Sequence, residues 1–331
     1  MTHVPAVVFT DVDRVSIREI EITPPARGQV QIRTEYSTIS AGTEGWILRN
    51  LFFWSPTRYP CVPGYQRAGV VEAIGAGVSE VQVGERVAAT SSLWSGALQP
   101  QSGAHVGLAN TAVEEVYRLP PNVDTLEASV LVVAQVGYNA ASRLTLATGA
   151  WVVVYGDGLI GQFAAQAARA LGARVILVGH HTERLSLALT YCADGVINRR
   201  EQNVIATIRQ QIGTATVAAV LDSVQSEAAQ REYTPLLARG HGQIVYCGFT
   251  PAATWADMGL LQRTELTTHF ISGWTRPRMQ ATLDLIAAGK MRVRPLITNL
   301  ESFTKAPDLY RAIQQKADGI LGVTLQWDTR A

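Results

Sequence analysis

Gly156, Gly158 and Gly161 stand in the frame G-x-G-x-x-G within the stretch VVVYGDGLIG, residues 152–161. The spacing alone arises by chance in glycine-rich chains. Here it follows an apolar run, opens the helix-compatible stretch GQFAAQAARALG, and is succeeded by a second apolar run, ARVILVG. Strand, turn and helix in that order are the setting in which the pattern binds a dinucleotide. The first glycine permits the tight turn and the second lets a pyrophosphate approach the backbone. The third lets helix and strand pack closely, with Leu159 and Ile160 at the helix start where phosphates bind. The alternative is a glycine-rich turn in a sheet protein that binds no nucleotide.

The residue at the end of the second strand bears on the type of dinucleotide. An acid there takes the ribose 2′-hydroxyl and repels a 2′-phosphate. Gly179 occupies that place, and His180, His181 and Arg184 follow it. A small residue followed by donors accepts a phosphate, so NADP is the expected cofactor, with NAD as the alternative. In the other reading the three donors are ordinary solvated loop residues.

These residues need elements to hold them. From residue 124 onward, short apolar runs such as WVVVYG, ARVILVG, VAAVLDSV and GQIVYCGF alternate with amphipathic stretches. That alternation predicts a parallel sheet covered by helices on both faces. Before it, β-branched runs (PAVVF, VSIREIEI, QVQIRTEYS, AGVVEAIG) separated by glycine and proline predict a compact β domain, with a helix near EGWILRN. The stretch beginning at Asp124, a plausible helix cap, reads as a helix through DTLEASVLVVAQVGYNAASRLTL.

A chain of 331 residues exceeds one ordinary core, so two domains are expected. The net charge is +1 and there is no run of like charge, which argues against nucleic acid or an anionic membrane as partner. No apolar run reaches the length a bilayer requires, about 20 residues. Nothing at the start has the build of a signal peptide. Three scattered cysteines, Cys61, Cys192 and Cys247, fit reduced thiols and a cytoplasmic protein.

In order along the chain, ISAGTE (39–44), VPGYQRAGVVEAIGAGV (62–78), VGERV (83–87), LPPNVD (119–124), GDGLIG, ADGVIN (193–198) and GQIVYCGF (242–249) together resemble the medium-chain dehydrogenase/reductase superfamily. The resemblance implies an α/β chain: a GroES-like β domain at 1–123, completed by 276–331, and a Rossmann doubly wound parallel-sheet domain at 124–275. In zinc-dependent members a cysteine stands where this chain has Ala41, and a histidine and an acid stand at Tyr65 and Gln66. The third ligand, a cysteine, falls near Val132. The segment after Val87, AATSSLWSGALQPQ, also lacks the four cysteines of the structural zinc lobe. Alanine, tyrosine and valine cannot build a tetrahedral zinc site, so no metal is expected. The phrasing is similar to a zinc-less branch with bacteriochlorophyllide a dehydrogenase-like and quinone oxidoreductase-like members.

Thr43 matches the family's hydroxyl relay, Tyr65 offers a phenol in place of the histidine, and Glu44 could orient either. Alternatively, Tyr65 is a core phenol and Glu44 a buried structural acid paired with an arginine such as Arg67. His105 reads as a packing residue. The resemblance further implies that Gly248 and Phe249 line the nicotinamide end. It places an apolar small-molecule substrate between the domains, with LFFW (51–54) at its entrance, and pairs two chains along ELTTHFISGW (265–274) as a homodimer. Three activities follow as expectations: alcohol–ketone hydride transfer without zinc, NADPH-dependent quinone or enone reduction, and dinucleotide binding without turnover.

Overall fold

The β-branched runs of the first third become strands in the computed structural model, which describes residues 2–251 and 256–327. They are β1 (Thr2–Asp11), β2 (Arg14–Ile22), β3 (Gln29–Ile39), β4 (Cys61–Val62), β5 (Arg67–Ile74), β6 (Arg86–Ala89), β7 (Gln99–Pro100), β8 (Leu108–Ala112) and β9 (Val116–Arg118). One helix, α1 (Ala41–Leu48), follows β3 directly. Strands β2, β1, β4 and β7 form one sheet. Strand β3 is the spine of the other, antiparallel to both β5 and β8. Its side chains alternate, with Val30 and Ile32 buried against Val71, Val81 and Val87.

The stretch from Asp124 is two helices rather than one, α2 (Thr125–Ala128) and α3 (Leu131–Ala141). The Asp124 side chain does cap the first, accepting from the Glu127 N–H at 2.9 Å. Ser129 breaks the run. Its hydroxyl bonds back to the Leu126 carbonyl and lies 2.8 Å from the Thr38 hydroxyl, which anchors the break to β3.

The second unit alternates without interruption: β10 (Trp151–Tyr155), α4 (Leu159–Ala170), β11 (Arg174–Gly179), α5 (Thr182–Tyr191), β12 (Gly195–Asn198), α6 (Val204–Ile212), β13 (Val217–Asp222), α7 (Glu227–Tyr233), β14 (Gln243–Tyr246), α8 (Met258–Thr264), β15 (Thr267–Phe270) and α9 (Arg276–Ala287). All pairings in its sheet are parallel, in the order β12-β11-β10-β13-β14-β15. Strand order therefore reverses between β10 and β13, the doubly wound arrangement whose ligand crevice lies at the carboxyl ends of those two strands. Residues Trp151 to Tyr155 are all buried, because helices cover both faces. Valines and isoleucines of β10, β11, β13 and β14 supply the core.

The chain then returns to the first unit with β16 (Ile297–Ser302), α10 (Ala306–Gln314) and β17 (Gly322–Gln326). Strand β17 lies antiparallel on β3, and Tyr310, Leu325 and Trp327 pack with Phe9, Ile39 and Leu48. The two compact units divide at Val132/Val133 and at Leu296/Ile297, later on both sides than the composition shifts at 123 and 276. Thr125 explains the first difference: its hydroxyl donates to Glu35 of β3 at 2.6 Å, which keeps α2 with the β unit. Gln166 explains the second. Its amide, buried in α4, bonds both the carbonyl and the N–H of Arg292 and so holds the segment after α9 to the parallel-sheet unit. No helix among the described residues is long and apolar enough to cross a membrane.

Candidate active site and dinucleotide site

In the first unit, helix α1 starts at Ser40 and places Thr43 and Glu44 in its first turn. The Glu44 carboxylate folds back onto the start of its own helix, where its Oε1 accepts the Ser40 N–H at 2.8 Å. A negative charge there also meets the positive end of the helix dipole. Its Oε2 accepts from His105 Nε2 at 2.9 Å and from the Tyr310 hydroxyl. All three side chains are buried. A chain of hydrogen bonds continues behind His105. Trp327 Nε1 donates to Ser37 Oγ at 2.9 Å, and Ser37 Oγ lies 2.8 Å from His105 Nδ1. Glu44 is thus a buried acid with both carboxyl oxygens bonded. Its partners are a histidine, a tyrosine and a backbone amide, and the expected arginine is elsewhere. Arg67 donates instead to the Ile32 carbonyl and to the hydroxyls of Thr34 and Thr111, and burial pulls its guanidinium down to about 9.

Tyr65 sits on the turn between β4 and β5, directly after Gly64. Gly64 has φ +88°, and a Cβ there would stand 2.7 Å from the His105 ring, so glycine alone fits both the conformation and the space. The Tyr65 phenol reaches the side-chain hydroxyls of Ser40 and Thr43. Burial first, and the nearby Glu44 charge second, push it up to about 12, against those two hydroxyls. It therefore keeps its proton throughout the neutral range. Structure brings together the three residues singled out from sequence and adds Ser40, whose hydroxyl had no signal beyond its place before the helix.

The zinc-ligand positions hold no donor set for that metal. Ala41 has no donor atom, Gln66 is buried with its amide donating to the Thr38 carbonyl at 3.1 Å, and Val132 is apolar core. Cys61 is buried too, and burial pushes its thiol up to about 11. The residues at these positions do not fit zinc.

The second unit answers for the glycine frame. Gly156 has φ +110°, and a Cβ on it would stand 2.2 Å from Ser223 Oγ of the neighbouring strand end. A Cβ on Gly161 would stand 1.8 Å from the Gly156 carbonyl. Gly158, at the N-cap of α4, differs: nothing lies within 4 Å of where its Cβ would be, and no side chain caps the helix. Open space over uncapped N–H groups suits a pyrophosphate, and the residues fit a dinucleotide. Leu159, Ile160 and Gly161 form the first turn. Gly248 and Phe249 follow β14, where the Cys247 N–H donates to the Asp222 carbonyl of β13, and Phe249 is exposed. They stand at the carboxyl ends of the strands, on the ligand side of such a sheet.

The loop after β11 holds an acid that the sequence reading passed over. Asp157, the residue between the first two glycines, is buried and turns toward Gly179. Its Oδ2 accepts the N–H groups of His180 and His181, each at 2.8 Å, and the His181 ring nitrogen at 3.0 Å. Arg184 stands 3.5 Å from its other oxygen. Burial alone would raise this carboxyl, but the two backbone N–H groups and His181 hold it below its usual range. His180, whose ring centroid lies 4.0 Å from that of His181 in a tilted arrangement, is pushed down by burial. His181 and Arg184, expected with His180 to meet a 2′-phosphate, face a carboxylate of the same chain. Asp157, His180 and His181 are also the cluster among the described residues whose ligand atoms, within 4.8 Å of one another, could hold a metal ion.

Two family profiles cover most of this architecture. "Alcohol dehydrogenase GroES-like domain" matches residues 26–120 and "Zinc-binding dehydrogenase" matches 160–288. The chain belongs to the medium-chain dehydrogenase/reductase superfamily. Among relatives of this superfamily, an alcohol dehydrogenase of Geobacillus stearothermophilus is 24% identical over 321 residues, 89% of this chain and 92% of its own. Quinone oxidoreductase 1 of Escherichia coli is 25% identical over 289 residues, 84% of this chain and 85% of its own. An Escherichia coli oxidoreductase/dehydrogenase of unknown specificity, known from its crystal structure, superposes with a TM-score of 0.88 at 24% identity, over 99% of this chain and 100% of its own. The profile named for zinc matches within 160–288, outside the positions Ala41, Tyr65, Gln66 and Val132.

Proposed function

We propose that this oxidoreductase works without zinc, moving hydride between a nicotinamide dinucleotide and the carbonyl or alcohol carbon of an apolar small molecule, with the Tyr65 phenol as the proton donor. The observation that carries the reading is Tyr65 itself. It stands where zinc-dependent relatives have a ligand, keeps its proton, and has the Thr43 and Ser40 hydroxyls beside it. When bound, the dinucleotide supplies or accepts the hydride. Gly158 and the uncapped start of α4 would hold its pyrophosphate, and Gly248 and Phe249 would line its nicotinamide end.

Reduction of a carbonyl develops negative charge on oxygen. Tyr65 can donate a proton to that oxygen, and Thr43 can donate a hydrogen bond to the phenolate that remains. Glu44 does not touch the substrate in this scheme. Held by Ser40, His105 and Tyr310, it is a positioning residue beside a phenol that burial first, and Glu44 second, keeps protonated. Exposed Phe53 and Trp54, packed edge to face at 4.8 Å, support an apolar substrate. A small molecule is accordingly the only partner proposed besides a second copy of the chain. Three free buried thiols fit a reducing compartment such as the cytoplasm.

The test is a screen of NADH and NADPH oxidation against ketones, quinones and enones with a chelator present. Ketone turnover that survives the chelator is expected. Turnover that appears only on adding zinc would overturn the reading. The similarity to a quinone oxidoreductase keeps quinone or enone reduction as the second reading, and turnover confined to those substrates would favour it. Cofactor binding with no turnover on any substrate would leave a dinucleotide-binding protein.

A further inference from the structure

Asp157 occupies a place that other groups could fill. In this fold the end of β11 faces the 2′ position of the adenosine ribose. Three kinds of donor converge there: the N–H groups of His180 and His181 at the start of α5, the His181 ring, and Arg184. Backbone amides at a helix start, joined by an imidazole and a guanidinium, form an anion nest that suits a phosphate. The nest is already filled. Asp157 reaches across from the glycine turn, and a Cβ on Gly179 would meet its carboxylate at 2.5 Å. Gly179 is thus the complement of Asp157: a side chain at the strand end and a carboxylate from the turn cannot share the space.

We propose that Asp157 is an internal anion that fills the 2′-phosphate nest, so that the site selects NAD(H) over NADP(H). The acid that the second strand lacks is supplied from inside the glycine motif. Its negative charge repels a 2′-phosphate, and its oxygens occupy the amides such a phosphate would need. This replaces the NADP preference inferred from Gly179 and the donors after it. It rests on the proposal that the second unit binds a dinucleotide, and it adds which one.

The test is calorimetric titration, with a chelator present, of ADP-ribose and 2′-phospho-ADP-ribose, fragments that carry no nicotinamide and need no turnover. Wild type should bind ADP-ribose about tenfold or more tighter than its 2′-phosphorylated form. Asp157→Ala should reverse the ratio by opening the nest. Should that variant fail to fold, as judged by its circular dichroism melt, Asp157→Asn keeps the shape, removes the charge, and should narrow the ratio at least about threefold. Equal or tighter binding of the phosphorylated fragment to wild type would overturn the inference, as would a ratio that neither variant moves. A ratio that depends on omitting the chelator would assign the cluster to a metal and overturn it as well. If neither fragment binds wild type, the dinucleotide reading itself fails, and this inference falls with it.

Discussion

Tyr65 carries the proposed chemistry, and its burial first and its neighbours second decide how it titrates. Removing one preorganised hydrogen-bond donor from a developing oxyanion costs about 2.7–4 kcal/mol, or about 10²–10³ in rate. Tyr65→Phe should therefore lower kcat on the best ketone by that order, and Thr43→Val should lower it in the same direction, while dinucleotide affinity by titration stays level. Two variants that turn over like the parent would move the proton donor elsewhere. The pH dependence follows from the same site. A phenol pushed up to about 12 in the fold, against an ordinary value of 10, binds its proton more tightly folded than unfolded. Its share of stability is complete below pH 10 and is lost as pH rises toward 12. The parent should lose stability in that window more steeply than Tyr65→Phe, as read by denaturant melts, and identical slopes would refute the shift. Thr43, Glu44 and Tyr65 were legible because each sits in a short phrase, ISAGTE or VPGYQ. Tyr310, which closes on Glu44 from 266 residues away, was not, since one sequence carries no trace of such a pairing. Asp157 did leave a signal: a charged residue between two glycines of a phosphate-binding turn needs a partner, and that partner lies at the end of the next strand.

Helix starts and glycine turns fix the elements, and their tolerance to change can be measured. Alanine at Gly161 would press its Cβ against the Gly156 carbonyl, so α4 would have to back away from β10. Gly161→Ala should destabilise the second unit by about 1–3 kcal/mol, a typical cost of overpacking, and weaken ADP-ribose binding in calorimetry. Asp124→Ala removes a cap from α2 and should cost only about 1 kcal/mol. If the two variants melt alike, the close approach at Gly161 is not what sets the turn. Periodicity made the parallel strands plain, because runs such as VVVY and VILV are apolar throughout. It missed the break between α2 and α3, because Ser129 and Val130 are compatible with a helix, and the interruption comes from Thr38 on a distant strand.

Across the whole molecule, the two-unit α/β architecture was legible from the shift between short alternating strands and strand–helix alternation. The boundaries were less so, since Thr125 and Gln166 set them through contacts rather than composition. Strand β15 forms one edge of the parallel sheet and exposes Phe270, which stacks on Tyr246 at 5.0 Å. A sheet edge that exposes an aromatic invites a second copy, and we expect a homodimer by light scattering at micromolar concentration, with Phe270→Lys shifting it toward monomer. A monomeric parent would refute this. Because Ala41, Tyr65, Gln66 and Val132 offer no ligand set, we expect elemental analysis after dialysis against a chelator to find no stoichiometric zinc; one retained ion per chain would contradict this.

The three cysteines lend themselves to timing how each unit opens. Cys61 belongs to the first unit, Cys192 and Cys247 to the second, and all three are buried. Burial pushes Cys192 up to about 12 and raises Cys247 as well, so neither forms much thiolate while enclosed. An alkylating reagent must then wait for the surrounding structure to breathe, and the labelling rate at each sulfur becomes a clock for that event. With tagged sites resolved by mass, Cys61 reports one unit independently of the other two, and a bound dinucleotide should slow Cys192 and Cys247 while leaving Cys61 at its former pace.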